Sequence, residues 1–415
     1  MYKTEVPLYG DLMQIVQSVN SQRESSESPE RLSLERHGAI RLGTAEELRT
    51  MRRVFALVGM YPVGYYDLSI AGLPMHATCF RPVDNTALTQ NPFRVFTTVL
   101  RPELLKSAAA RVTALSLLEQ RKIFSEELLE LLDIADGQHN RLTQHQAENF
   151  IKEAMLTFGW RSTAAATRAG YEQLKSEHPI LADIACFKSA HINHLTPRRR
   201  QCVPQGWRKC PILLRQTSFL ALEEKIHFRV DNTSLEDEWT EGSHKARFGE
   251  IEQRGAALLE KAMMGVIIPQ ANVDEIMDRT FKTYPDSWTE LRRQGLVYFE
   301  YRCTGKPTTL SEADFANMLE APSLERLITE GVLEAVPITY EDFLPLSAAG
   351  IFQSNLQSNG IPLRSVVNEE SQPQADQEGF ERALGCPVMD ADELYASAQK
   401  EGLGISVAKL NLRRL

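Results

Sequence analysis

The chain has 415 residues, 43% of them hydrophobic and 24% charged, which is enough apolar material for a large core and for two or three domains. Its net charge of −9 argues against a general nucleic-acid binder, and no apolar run reaches the roughly 20 residues that a bilayer span needs. No signal-peptide core follows Met1, so the expected compartment is the cytoplasm, with no membrane partner.

Val6, Leu8, Leu12, Ile15, Val16 and Val19 fall at helical spacing and predict an amphipathic helix over 5–20. Residues 21–30, rich in Ser and Glu, read as a loop. The segment 35–43 follows, and places His37 four residues before Arg41. Thr44 then reads as a helix N-cap, with Glu47 three residues on and Leu48, Met51, Phe55 and Leu57 as the buried face up to Gly59. Tyr65, Tyr66, Leu68 and Ile70, then 75–80, predict two strands around a turn at 71–74, and 93–100 predicts a third, ended by Pro102. From 103 to about 180 the pattern is helical. Strand signals return at 184–187, around His194, and at 219–222, 226–230 and 248–253. Residues 270–296 read as helical, 296–302 as a strand and 324–331 as a short helix. The Gln-rich, acidic stretch 366–380 is expected to be mobile, and 390–402 to form a final helix.

This pattern predicts an α+β protein. Its expected parts are an N-terminal helix with a first β-rich block over 1–100, a helical insertion over 101–183, a second β-rich block over 184–305, and a C-terminal segment, 306–415, closing the site. The six cysteines are widely spaced with no C-x-x-C pair, which predicts reduced, structural thiols and argues against a zinc ribbon.

The chemistry rests on three segments. His37 precedes Arg41 by four residues, and His194 precedes Arg198 by the same spacing. Positions four apart in an extended segment share a face, so a metal ligand and a carboxylate anchor can line one cavity. Glu250 and Glu252 share a strand face in the same way, with Arg254 beside them. Two histidines, one carboxylate and open positions make the facial triad of non-haem Fe(II) oxygenases, although the same ligands also suit Zn²⁺. Spacing alone is equally what structural histidines and a surface ladder of Glu and Arg produce. His191 rivals His194, and His76, on a predicted core strand, is a further candidate. His139, His145, His178 and His244 lie in polar sequence and are expected to face solvent. There is no G-x-S-x-G elbow, P-loop or G-x-G-x-x-G fingerprint, and the basic run 198–200 reads as solvated surface.

Long strings carry a resemblance: Arg36-His37-Gly38-Ala39-Ile40-Arg41 through Gly43-Thr44-Ala45-Glu46-Glu47-Leu48, Gly59-Met60-Tyr61-Pro62-Val63-Gly64-Tyr65-Tyr66-Asp67-Leu68, and His191-Ile192-Asn193-His194-Leu195-Thr196-Pro197-Arg198. Phe248-Gly249-Glu250-Ile251-Glu252-Gln253-Arg254-Gly255 and the run from Tyr340 to Phe352 extend it. Together they resemble the 2-oxoadipate dioxygenase/decarboxylase family over residues 30 to 355. The resemblance implies a vicinal-oxygen-chelate-like β core, two β-rich blocks sharing one site, with large helical insertions. It implies Fe(II) as cofactor and conversion of 2-oxoadipate and O2 to 2-hydroxyglutarate and CO2 in lysine catabolism. Carried over by motif, His37 is the first metal ligand, His194 the second with His191 as alternate, and Arg41 the receptor for a substrate carboxylate. Hydroxyphenylpyruvate dioxygenases, similar in chemistry, place their ligand Glu in a Glu-x-x-Gln-Arg string, which selects Glu250 with Glu252 as alternate. Leu346 and Ser347 are expected to approach the substrate. The competing classes are a zinc-dependent hydrolase or lyase on the same ligands and a non-catalytic 2-oxo acid binding protein. Monomer and homo-oligomer are both compatible with the sequence.

Overall fold

The computed structural model describes residues 37–71, 73–159, 164–187, 243–244, 288–293, 295, 297–306, 321–338, 341–342 and 375–412. The chain divides into two compact units, one formed by 1–221 with 342–389 and the other by 222–341 with 390–415.

The first unit is built on a mixed four-stranded sheet. Its strands are β1 (His37–Leu42), β2 (Tyr61–Asp67), β3 (Met75–Arg81) and β4 (Arg94–Leu100), in the order β1-β4-β3-β2. β1 runs parallel to β4, and the other pairs are antiparallel. A parallel neighbour cannot be reached by a tight turn, and the chain leaves β1 through helix α1 (Ala45–Leu57). Short helix α2 (Asn85–Gln90) joins β3 to β4. A bulge in β2 lies between Val63 and Tyr65, and Gly64 takes it at φ +71°, a left-handed conformation that glycine adopts without a Cβ clash.

Both faces of this sheet are covered, which is why every residue of β3 and β4 is buried. On one face Phe96, Cys79, Ala77, Met75 and Tyr66 pack against α3 (Ala108–Glu119), α6 (Arg168–Glu177) and α7 (Pro179–Cys186). On the other, Ile40, Leu42, Val95, Val99 and Phe80 meet α1, α4 (Glu126–Gly137), α5 (Gln144–Phe158) and α10 (Gln377–Leu384). Each buried Leu, Val or Phe side chain contributes about 1.5–3 kcal/mol relative to exposure. Most of the helices start on a side-chain cap written in the sequence: Thr44, Ser107, Ser125, Thr143, Thr167 and Asp376 each accept a backbone N–H of the first turn.

Two expectations are corrected. Residues 184–186 are not a strand but the end of α7. Pro179 at the first helical position and His178 as N-cap, its Nδ1 accepting from Ile180 N at 3.2 Å, decide an apolar run whose periodicity is ambiguous. Residues 377–380 begin α10, in which Phe380 is fully buried against the sheet side of α1, and Gly385 ends it at φ +79°.

The second unit holds an antiparallel sheet in the order β5-β6-β7, from β5 (Ser243–His244), β6 (Val297–Cys303) and β7 (Leu333–Pro337). Helices α8 (Trp288–Arg293) and α9 (Ala321–Thr329) accompany it. The long α11 (Ala391–Leu412) lies along β6: Gln399 Oε1 accepts from Phe299 N at 2.8 Å and Ser406 Oγ donates to Tyr301 O at 2.6 Å. Among the described residues Cys186, Cys303 and Cys386 are free thiols, and no helix is long and apolar enough to cross a membrane.

Candidate active site

Strand β1 carries the first of the expected site segments. His37 is its first residue and is the register partner of Arg94 on β4, while Arg41 pairs with Thr98. Arg41 is buried, at 7% exposure, and its Nη1 donates to Asp183 Oδ2 at 2.9 Å. Asp183 belongs to α7, so this ion pair ties the helix to the strand.

A second layer holds the two ends of that pair. Arg121, which follows α3 and has a fully buried side chain, forms an ion pair through Nε with Glu47 Oε1 at 3.0 Å. Its Nη1 donates to Ile184 O, and its Nη2 to Arg41 O at 3.3 Å. One guanidinium therefore binds the backbone at Arg41 and the backbone next to Asp183. Glu47 in turn accepts from Gly43 N through Oε2 at 2.7 Å, while its own N–H donates to Thr44 Oγ1 at 3.1 Å. The helix start expected at Thr44 thus also supplies the counter-ion of a buried arginine.

Burial dominates the electrostatics here. It lowers the pKa of Arg41 and raises that of Asp183, each opposed by the charge of the other. Burial likewise raises Glu47 and lowers Arg121, again with mutual opposition. A buried charge needs such compensation, because transfer from water costs several kcal/mol when it is unpaired. His178, 3% exposed, is pushed down to about 4, first by burial and then by the Arg41 charge. It is neutral at pH 7, which corrects the expectation of a solvent-facing side chain. His139 and His145 are exposed as expected.

Two further arginines lie on the same sheet face. Arg94 and Arg81 are each 1% exposed. Arg81 makes a bidentate contact to Asp342, Nε to Oδ1 at 2.6 Å and Nη2 to Oδ2 at 2.8 Å. His76 has a structural environment on the opposite face: its Nδ1 lies 2.8 Å from Tyr65 Oη, and its ring forms a three-ring cluster with those of Tyr65 and Phe380.

His191, His194, Glu250, Glu252, Leu346 and Ser347 lie outside the described residues, as does the side chain of His37. Among the described residues there is no group of three His, Cys, Asp or Glu side chains that could hold a metal ion. Sequence reasoning missed Asp183, Arg121 and Arg94. For Asp183 a signal existed: it is the one charge in the otherwise apolar run 180–186.

Comparison with known proteins extends this site to a family. The family model described as 2-oxoadipate dioxygenase/decarboxylase matches residues 1–204 and 199–355. The chain is 43% identical over 438 residues to the 2-oxoadipate dioxygenase/decarboxylase of Escherichia coli (strain K12), covering 96% of this chain and 94% of that one. It is 41% identical over 457 residues to the Pseudomonas putida protein of the same name, covering 99% and 95%. The crystal structure of the Pseudomonas putida hydroxyglutarate synthase in complex with 2-oxoadipate is similar over 99% of this chain and 95% of that one, at a TM-score of 0.72 and 32% identity. A match of this length and identity leaves one assignment: the chain belongs to the 2-oxoadipate dioxygenase/decarboxylase family.

Proposed function

We propose that this protein is an oxidoreductase that converts 2-oxoadipate and O2 to 2-hydroxyglutarate and CO2, as a metal-dependent dioxygenase/decarboxylase using Fe(II). The observation that carries the proposal is the buried guanidinium of Arg41 on β1, four residues after His37, in a chain whose relatives bear that name. The reaction balances: the five-carbon product plus CO2 account for the six carbons of the substrate and for both oxygen atoms.

The expected donor set fits the metal. Two imidazoles and one carboxylate, from His37, His194 and Glu250, leave open positions on Fe(II), with His191 and Glu252 as the alternate donors. A β strand brings positions four apart to one side, which supports His37 and Arg41 facing a common cavity. When bound, the iron supplies the redox chemistry that couples loss of CO2 to oxygen incorporation. The chain's own residues do the recognition. Arg41 offers a fixed fork of donors to a substrate carboxylate, and burial strengthens that contact by excluding competing water. The buried arginines Arg41 and Arg94 on this face suit an anionic substrate. Leu346 and Ser347 complete the proposed substrate contacts, and a vicinal-oxygen-chelate-like core is part of the same proposal.

The test is oxygen consumption by the Fe(II)-loaded protein with 2-oxoadipate, with 2-oxoglutarate and 4-hydroxyphenylpyruvate as controls and the product identified by mass. Uptake matched one to one by 2-hydroxyglutarate is expected. No uptake with any of the three by protein shown to hold iron would refute the proposed activity, and activity with Zn²⁺ but not Fe(II) would turn it into a hydrolase or lyase.

A further inference from the structure

We infer that Asp183 is a positioning residue for substrate recognition: held by the Arg121 frame, it fixes the Arg41 guanidinium in the orientation that receives a substrate carboxylate. The inference rests on the reading of Arg41 as that receptor.

A long side chain such as arginine loses much rotamer freedom when it must bind in one geometry. Pre-organisation removes that loss from the binding step. Here the guanidinium is fixed before substrate arrives. Asp183 takes Nη1 through one oxygen at 2.9 Å, a monodentate contact. The Nε–Nη2 edge of a guanidinium points away from Nη1, so a carboxylate can bind it bidentately while Asp183 stays in place. The two ends of the Asp183–Arg41 contact are themselves tied together, since Arg121 binds both Arg41 O and Ile184 O. A helix and a strand held at two adjacent rungs leave the pair little room to shift. Arg121 is in turn neutralised by Glu47.

Charge also favours this role. Asp183 balances the buried Arg41 charge when substrate is absent. The neighbouring His178 is neutral, so it adds no competing cation at pH 7.

The experiment measures steady-state kinetics of the Fe(II)-loaded protein and, independently, the rise in Tm caused by 2-oxoadipate. The variants are Asp183→Asn, Asp183→Glu, Arg41→Met and the double variant Asp183→Asn with Arg41→Met. With Arg41 present, Asp183→Asn is expected to raise KM for 2-oxoadipate about tenfold, the scale of a displaced charge-assisted hydrogen bond, with a smaller drop in kcat. The substrate-induced Tm rise should shrink in parallel, and Asp183→Glu should lie between. In the Arg41→Met background the same substitution should change KM by less than about twofold, because its effect acts through Arg41. Equal KM increases in both backgrounds, or an unchanged KM for Asp183→Asn and Asp183→Glu, would overturn the inference while leaving the receptor reading intact. An unchanged KM for Arg41→Met alone would overturn the receptor reading, and this inference with it.

Discussion

Asp342→Ala removes one partner of the Arg81–Asp342 pair, which joins residues 261 positions apart in the chain. The side chains are 2% and 1% exposed, so neither charge is solvated by water to any useful degree. The substitution deletes both charge-assisted bonds at once and leaves Arg81 Nη1 on Pro82 O, at 3.0 Å. Breaking a buried pair by removing one partner costs about 3–5 kcal/mol, a large part of the 5–15 kcal/mol that holds a typical domain together. For a unit of this size that corresponds to a fall in Tm of about 10 °C. The assay is urea unfolding followed by tryptophan fluorescence, with calorimetry for the Tm. A control separates the pair's own contribution from the stranded charge. Replacing both partners by apolar residues, Arg81→Met with Asp342→Leu, should recover most of the loss, because a well-packed apolar substitute for a buried pair is often neutral. A loss below about 1 kcal/mol for Asp342→Ala, or a double variant worse than the single, would refute the reasoning.

Other outcomes follow from the same geometry. His37→Ala and Glu250→Ala should each lose iron as measured by metal analysis, and wild-type iron content in either removes that residue from the ligand set. Arg41→Lys should raise KM for 2-oxoadipate at least about tenfold, because an ammonium cannot present a bidentate fork; an unchanged KM would place Arg41 outside recognition. Gly43→Ala would put a Cβ 2.1 Å from Cδ2 of the buried Leu118, and should cost about 1–3 kcal/mol in urea unfolding. His76 and His178 are both held near pKa 4, burial being the main cause in each. An unfolded imidazole takes up its proton near pH 6.5, so as pH drops from about 6.5 to 4 the unfolded chain binds more protons and stability decreases. His178→Gln should flatten that slope, and an unchanged slope in His178→Gln and His76→Gln would contradict both assignments.

The helix start at Thr44 was legible because a capping residue is a local signal, and Thr44 caps as expected, while the Glu47 carboxylate binds the N–H of Gly43, one residue before the cap. The strands at 75–81 and 94–100 and the helices between 108 and 177 were legible from periodicity for the same reason, whereas the strand expected over 65–70 runs instead from Tyr61 to Asp67, and Leu68–Ala71 form a 3-10 turn. The run 184–187 was misread because a short apolar run fits a buried strand and a buried helix equally. Only His178 and Pro179 tip it. The helix at Gln377–Leu384 was hidden by its composition: one buried pair, Phe380 and Leu384, stands among polar residues. Arg41 was found through its spacing from His37, whereas Asp183 and Arg121 were not, because ion pairs across 142 and 74 positions leave no local pattern.

The strand order has a consequence for how the protein acquires its site. β2, β3 and β4 pair with near neighbours in the chain, so that meander can zip up locally soon after it is made. β1 emerges first but pairs with β4, with His37 opposite Arg94, 57 positions later. Closing that loop is entropically slower than forming a hairpin. Among the described strands β1 also stands at the end of the order, bonded on one side. The segment with His37 and Arg41 therefore joins this sheet through its longest-range strand pairing, and its amides should exchange with solvent sooner than those of β3, which is bonded on both sides.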